Sequence, residues 1–185
     1  GGKVHFVRPN VIHLMRGQVF TLQGQTYFTF GGASSHDISG GILNPEDYKL
    51  GVQDPDFKRM YKRMQGNPLP FRIKDISWWE RELPNESEMR EGLENLKKHN
   101  NKVDFIITHS PCTSDLFLLG GAGFYDTDIL TNYLEKIRAI VDYQKWYFGH
   151  MHINKQLNLQ NLCLYEQILM VPDKNYVYQF PEEER

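Results

Sequence analysis

Two apolar runs of strand length, each ending at a histidine and separated by one helical pattern, constrain this chain more than any other feature. Residues 103–108 read Val-Asp-Phe-Ile-Ile-Thr and close at His109-Ser110-Pro111; residues 146–148 read Trp-Tyr-Phe and close at Gly149-His150-Met151-His152. Between them, Leu130, Leu134, Ile137 and Val141 recur at helical spacing, predicting a helix over 127–142. Pro111 cannot continue a strand, and Gly149 opens a loop. A strand, helix, strand unit of this length permits two parallel neighbours. His109, His150 and His152 then converge at one sheet edge, beyond the carboxyl ends of the strands, where ligands gather in α/β proteins. Neutral imidazole is the commonest transition-metal ligand, so these three are the candidate metal ligands. Taken singly, a His-x-His pair proves little and reads first as a polar loop.

The earlier chain reads as β structure. Val11-Ile12-His13-Leu14-Met15 is a short strand closed by Gly17, and residues 19–22 and 26–30 flank a hairpin turn at Gln23-Gly24-Gln25. The second hairpin strand runs into Gly31-Gly32-Ala33-Ser34-Ser35-His36-Asp37, whose small residues let a backbone approach a ligand closely. His36 and Asp37 are therefore candidate substrate-proximal residues, the alternative being a glycine-rich turn in which Asp37 bonds its own backbone. A hydrolase nucleophile elbow is excluded, since its spacing needs glycine where His36 stands. Residues 40–75 are polar and form an expected surface insertion, with a helix over 56–65 that carries Phe57, Met60 and Met64 on one stripe and Lys58, Arg59, Lys62 and Arg63 as a cationic patch. Trp78 and Trp79 read as a packed corner or as further substrate-proximal residues. Asn85 with Glu88 has the form of a capping box before Met89, Leu93 and Leu96, and Asn100-Asn101 ends that helix. Further strands are predicted at 156–159, 162–171 and 176–178, before a tail over 180–185.

With 185 residues and 40% hydrophobic content, one substantial core is expected, as a single α/β or α+β domain in layers. The 21 basic and 23 acidic residues give a net charge of −2, which argues against a broad electrostatic grip on nucleic acid or anionic membrane. No apolar run approaches a membrane span, and no signal peptide opens the chain, so a cytoplasmic location is expected. Cys112 and Cys163 read as buried thiols in a reducing compartment. The chain opens Gly1-Gly2-Lys3 without a methionine and passes at once into strand-like sequence, as a processed, engineered or mid-domain start would.

Four blocks together resemble the calcineurin-like metallophosphoesterases, the compact bacterial and phage-type members above all. They are Gly31-Gly32-Ala33 before Ser35 and Asp37, Ser77-Trp78-Trp79 with Glu82 and Pro84, Thr108-His109-Ser110-Pro111, and Gly149-His150-Met151-His152. The resemblance implies a four-layer α-β-β-α sandwich of two mixed sheets holding two divalent ions. It places His109 and His150 on one ion and His152 on the other. Manganese, iron, zinc or nickel suits histidine better than magnesium does. The implied reaction is hydrolysis of a phosphate monoester or diester by a metal-activated hydroxide. Nucleic acid enters only as a substrate, and no membrane partner is implied.

The family's Asp-x-His pair, bridging aspartate and Asn-His-Asp/Glu block are absent from this sequence. The resemblance therefore covers the C-terminal part of such a domain, and the implied partner is an N-terminal segment of the same domain. This chain alone is expected to be inactive or very weak, its leaving-group histidine unassigned. Two other readings stay open. One is a binding module on the same fold; the other is a structural zinc site built from His109, Cys112, His150 and His152.

Overall fold

The structure is a computed structural model that describes residues 2–35, 37–121 and 123–170. The strand predicted at 176–178, the tail, Val171 and His36 lie outside the described residues. The chain forms two compact units, Gly1–Gly32 with Pro84–Arg185, and Ala33–Leu83.

β1 (Val4–Arg8) and β2 (Val11–Leu14) pair antiparallel as an exposed ribbon with a bulge between Phe6 and Arg8. β3 (Gln18–Leu22) and β4 (Gln25–Phe30) make the predicted hairpin. Its turn is two residues long, because Gln23 (φ 50°) and Gly24 (φ 76°) both adopt the left-handed backbone of a hairpin turn that matches strand twist. The second unit then holds β5 (Ile42–Leu43), α1 (Pro55–Gln65) and β6 (Arg72–Ile73), with β5 and β6 parallel. Asp54 caps α1, and Phe57 is the buried member of an aromatic chain from Tyr48 through Phe57 and Tyr61 to Phe71, with centroids 5.4, 6.5 and 5.6 Å apart. That chain is the core of this small unit.

In the first unit, α2 (Glu86–Lys98) opens with the predicted capping box of Asn85 and Glu88 and is stopped by Asn100 and Asn101, both left-handed. β7 (Lys102–Thr108), α3 (Thr113–Gly120), α4 (Ile129–Ile140), β8 (Asp142–Phe148), β9 (Lys155–Gln156) and β10 (Asn161–Cys163) follow. The result is a mixed six-stranded sheet in the order β3-β4-β7-β8-β10-β9. β4, β7, β8 and β10 run parallel, and β3 and β9 flank them antiparallel. Phe28, Ile106 and Trp146 lie abreast on one face. On that side Phe30 packs on Tyr133 of α4 at 4.8 Å, and Gly92 of α2 lies against both rings. Tyr27, Phe105 and Tyr147 stack across the other face at 5.0 and 6.2 Å, joined by Leu162, Leu164 and Leu169. Among the described residues, no helix is long and apolar enough to cross a membrane.

Several boundaries differ from the sequence reading for local reasons. The helix predicted over 127–142 starts at Ile129, because the Asp128 side chain accepts from the Thr131 N–H and caps it, and stops at Ile140, where Val141 is already extended. β8 is longer than 146–148, since exposed Asp142 and Gln144 alternate with buried Tyr143 and hide the strand's apolar run. α3 was not predicted. Its Leu116-Phe117-Leu118-Leu119 run has no polar stripe, so nothing marked a helical period. The strand expected at 156–159 contracts to β9, because Asn158 accepts from the N–H groups of Gln160 and Asn161 and turns the chain, and of the strand expected at 162–171 only the start, in β10, is extended in the sheet among the described residues.

The close approach of α2 to the sheet can be tested at Gly92. A Cβ there would collide with the Tyr133 hydroxyl and lie 3.3 Å from Gly17 Cα and Phe30 Cε2. The Tyr133 hydroxyl is itself buried with no hydrogen-bond partner among the described residues. We expect Gly92→Ala to cost about 1–3 kcal/mol in urea unfolding through overpacking. Tyr133→Phe should be neutral or stabilising, since it deletes an unpaired buried hydroxyl, and the double variant should recover part of the loss. A Gly92→Ala protein as stable as wild type would show that the helix is not held this closely.

Candidate functional site

The four parallel strands deliver four loops to one edge of the sheet: Gly31-Gly32 after β4, His109-Ser110 after β7, Gly149-His150 after β8 and Leu164-Tyr165 after β10. Hydrogen bonding continues past the strand ends. The Gly149 N–H donates to the His109 carbonyl at 3.0 Å, the Leu164 N–H to Phe148 at 2.8 Å, and the Ser110 hydroxyl to Gly32 at 2.8 Å. Beneath them, the buried Trp146 indole N–H donates to Thr108 Oγ1 at 2.9 Å, and the Thr108 hydroxyl donates to the Ser110 carbonyl at 2.7 Å. The loop that carries His109 is thereby tied to the core.

His109 and His150 meet edge to face, their ring centroids 5.0 Å apart. A histidine nitrogen binds a transition-metal ion at about 2.0–2.1 Å, and two rings at this separation can reach one ion. Partial burial, followed by the neighbouring His152, holds the His109 pKa below the ordinary histidine range and favours the neutral, ligating form. His150 (φ 67°) and His152 (φ 53°) both have left-handed backbones, a conformation that costs a side-chain-bearing residue energy and concentrates at functional sites. The His152 ring lies on Tyr165, with centroids 4.9 Å apart and planes at 24°. Among the described residues no group of three or more His, Cys, Asp or Glu side chains is gathered to hold an ion. The structure pairs His109 with His150 and sets His152 against Tyr165.

The other candidate residues lie in the second unit, apart from His36, which is outside the described residues. Asp37 is ion-paired with Arg72. Trp78 is half-buried in a turn, where its backbone N–H donates to the Ile73 carbonyl at 3.1 Å and its carbonyl accepts from the Asp75 N–H at 2.8 Å, while Trp79 is exposed. Ser35 donates to Glu82 at 2.9 Å, a contact 47 residues apart that sequence pattern does not reveal. Sequence reading also missed Asn154, whose Oδ1 accepts from the N–H groups of Tyr165 at 2.7 Å and Glu166 at 3.2 Å. Its only local signal was an asparagine just after the histidine loop.

Cys112 fits a zinc site poorly. It is wholly buried at the start of α3, and burial with nearby Asp115 pushes its thiol far above the usual range, which disfavours the thiolate that zinc binds. Both cysteines are free and buried, as predicted. Asp115 is buried too: Oδ2 accepts from Asn161 at 2.6 Å, and Oδ1 has no hydrogen-bond partner among the described residues. No family model, curated protein or solved structure matches the chain.

Two measurements check this picture. At positions 150 and 152, glycine should give a more stable protein than alanine by about 1 kcal/mol in chemical denaturation, since only glycine takes the left-handed backbone without strain; equal stabilities would mean that the loop is not held in that conformation. Burial raises the Asp115 pKa in the folded state, so between the ordinary aspartate range and that raised value the folded protein retains a proton that the unfolded chain has lost. Stability relative to Asp115→Asn should therefore fall as pH rises through that window, as read from urea midpoints; a pH-independent difference would contradict the burial.

Proposed function

We propose that this chain carries part of the metal-binding edge of a phosphate-ester hydrolase of the calcineurin-like metallophosphoesterase type. The observation that carries the reading is the edge-to-face pair of His109 and His150 at the ends of neighbouring parallel strands. Left-handed backbones at His150 and His152 support it, because strain of this kind is retained where the side chain has a task. The apolar Tyr27, Phe105 and Tyr147 face supports the four-layer form of the fold, since a second sheet would pack on such a surface.

In this reading His109 and His150 hold one divalent ion and His152 contributes to a second. Such ions, when bound, would supply a hydroxide nucleophile near neutral pH and offset charge on the phosphoryl group. The chain's own part is to present imidazoles from a rigid sheet edge, with partial burial favouring the neutral form of His109. His109 is held through Ser110 and Thr108 to the Trp146 indole, and the Gly149 N–H fixes the His150 loop to the His109 carbonyl. These imidazoles alone do not complete an ion site, since among the described residues no group of three or more ligating side chains is gathered, and hydrolysis by this chain alone is very weak. The substrate is a phosphate monoester or diester, with nucleic acid entering only in that role.

Titration with cobalt(II), followed by visible absorption, tests the reading directly. Wild type should bind the ion, and His109→Ala or His150→Ala should weaken binding by at least about tenfold without altering the far-ultraviolet circular dichroism, as loss of one of few ligands requires. Absence of binding by wild type would reject the metal site and leave the binding-module reading.

A further inference from the structure

The outer face of α1 carries a charge pattern that the packing of its unit does not use. Between Pro55 and Gln65 stand Lys58, Arg59, Lys62 and Arg63 against one acidic residue, Asp56, in a chain whose net charge is −2. Lys58 and Lys62 form one row on the helix, and Arg59 and Arg63 the next, each pair about 6 Å apart along the axis. All four are exposed, while Phe57 and Tyr61 are engaged in the aromatic chain that forms the core of the unit. Lys58 donates to Gln53 at 3.2 Å and Arg59 pairs with Asp56 at 3.1 Å; Lys62 and Arg63 have no acidic partner among the described residues. The helix dipole accounts for Lys62 and Arg63 in the last turn, but it disfavours Lys58 in the first.

A recess of about 300 Å³ lies at the C-terminal end of the same helix. Gln65, which continues the row of Lys58 and Lys62, lines it together with Leu69 and Phe71. The chain around it is fixed, since the Leu69 N–H donates to Asn67 Oδ1 at 3.0 Å and the Gly40 N–H to the Pro70 carbonyl at 2.7 Å. Arg72, the cation that lines the recess, is ion-paired with Asp37. The recess therefore offers an aromatic ring, an aliphatic side chain and amides without net charge, beside a helix face that is cationic. Those are the two halves of a surface for single strands, in which cations follow the phosphates and a neutral, partly aromatic site takes a base.

We propose that α1 and this recess bind single-stranded nucleic acid, with backbone phosphates on Lys58, Arg59, Lys62 and Arg63 and one base against Leu69 and Phe71. The inference does not rest on the metal-dependent reading above. A duplex keeps its bases stacked and places none in the recess without opening. An anionic membrane would need a free apolar helix face, and on α1 Phe57 and Tyr61 are already packed in the unit's own core.

Fluorescence anisotropy of a labelled oligodeoxythymidylate about twelve nucleotides long, within the span of one such surface, tests this on the whole chain, with EDTA present so that no metal-dependent step enters. Wild type should bind, and log affinity should fall linearly with log salt. Lys62→Gln with Arg63→Gln should lower affinity about tenfold or more and flatten the salt slope by about 1.4, as loss of two phosphate contacts to a single strand requires. Gln65→Ala with Leu69→Ala should lower affinity about fivefold at unchanged slope. Lys97→Gln with Lys98→Gln, an equal loss of charge on the exposed end of α2, should bind like wild type. Absence of binding, equal losses on α1 and α2, binding of the matching duplex or of phosphatidylserine vesicles as tight as that of the single strand, or equal competition by polyglutamate or thymidine monophosphate would each overturn the proposal.

Discussion

Parallel pairing of β7 with β8 is the interaction on which the rest depends. It sets Ile106 beside Trp146 and Ile107 beside Tyr147, and it brings His109 level with Gly149 at the strand ends. A register slip of one residue would turn every side chain of β8 to the opposite face, exposing Trp146 and Phe148 and removing the indole from Thr108. The same bond that satisfies a buried indole N–H also fixes the residue preceding His109. Core packing and site geometry are thus one constraint read at two places.

The site itself runs against local preference. A glycine would suit positions 150 and 152 better than any other residue, yet histidine occupies both. Surrounding structure must therefore impose the conformation. It does so through the Gly149 ladder bonds at one end and the Asn154 and Tyr165 contacts at the other. The second unit is organised differently, around rings packed along α1 with Asp37 engaged by Arg72.

Local signals were legible where one residue acts on its immediate neighbours. Asn85 and Glu88 marked a helix start, Asn100-Asn101 a helix end, Gln23-Gly24 a turn, and Pro111 a strand end, because capping, left-handed backbone and a missing N–H act within a few residues. α3 was not legible, since its uniformly apolar run carries no period. The full length of β8 was hidden by polar residues facing solvent, and the shortening of β9 depended on an Asn158 turn that follows it.

The sequence by itself determined that His109 and the Gly-His-x-His run stand at strand ends, because strand breakers and apolar periodicity are written in adjacent residues. Only the tertiary structure decided which imidazoles meet. It set His109 against His150 and His152 against Tyr165, and it withdrew Cys112 into the core. Those outcomes follow from strand order and register, which join residues 41 and 13 positions apart through cooperative burial that no local window contains.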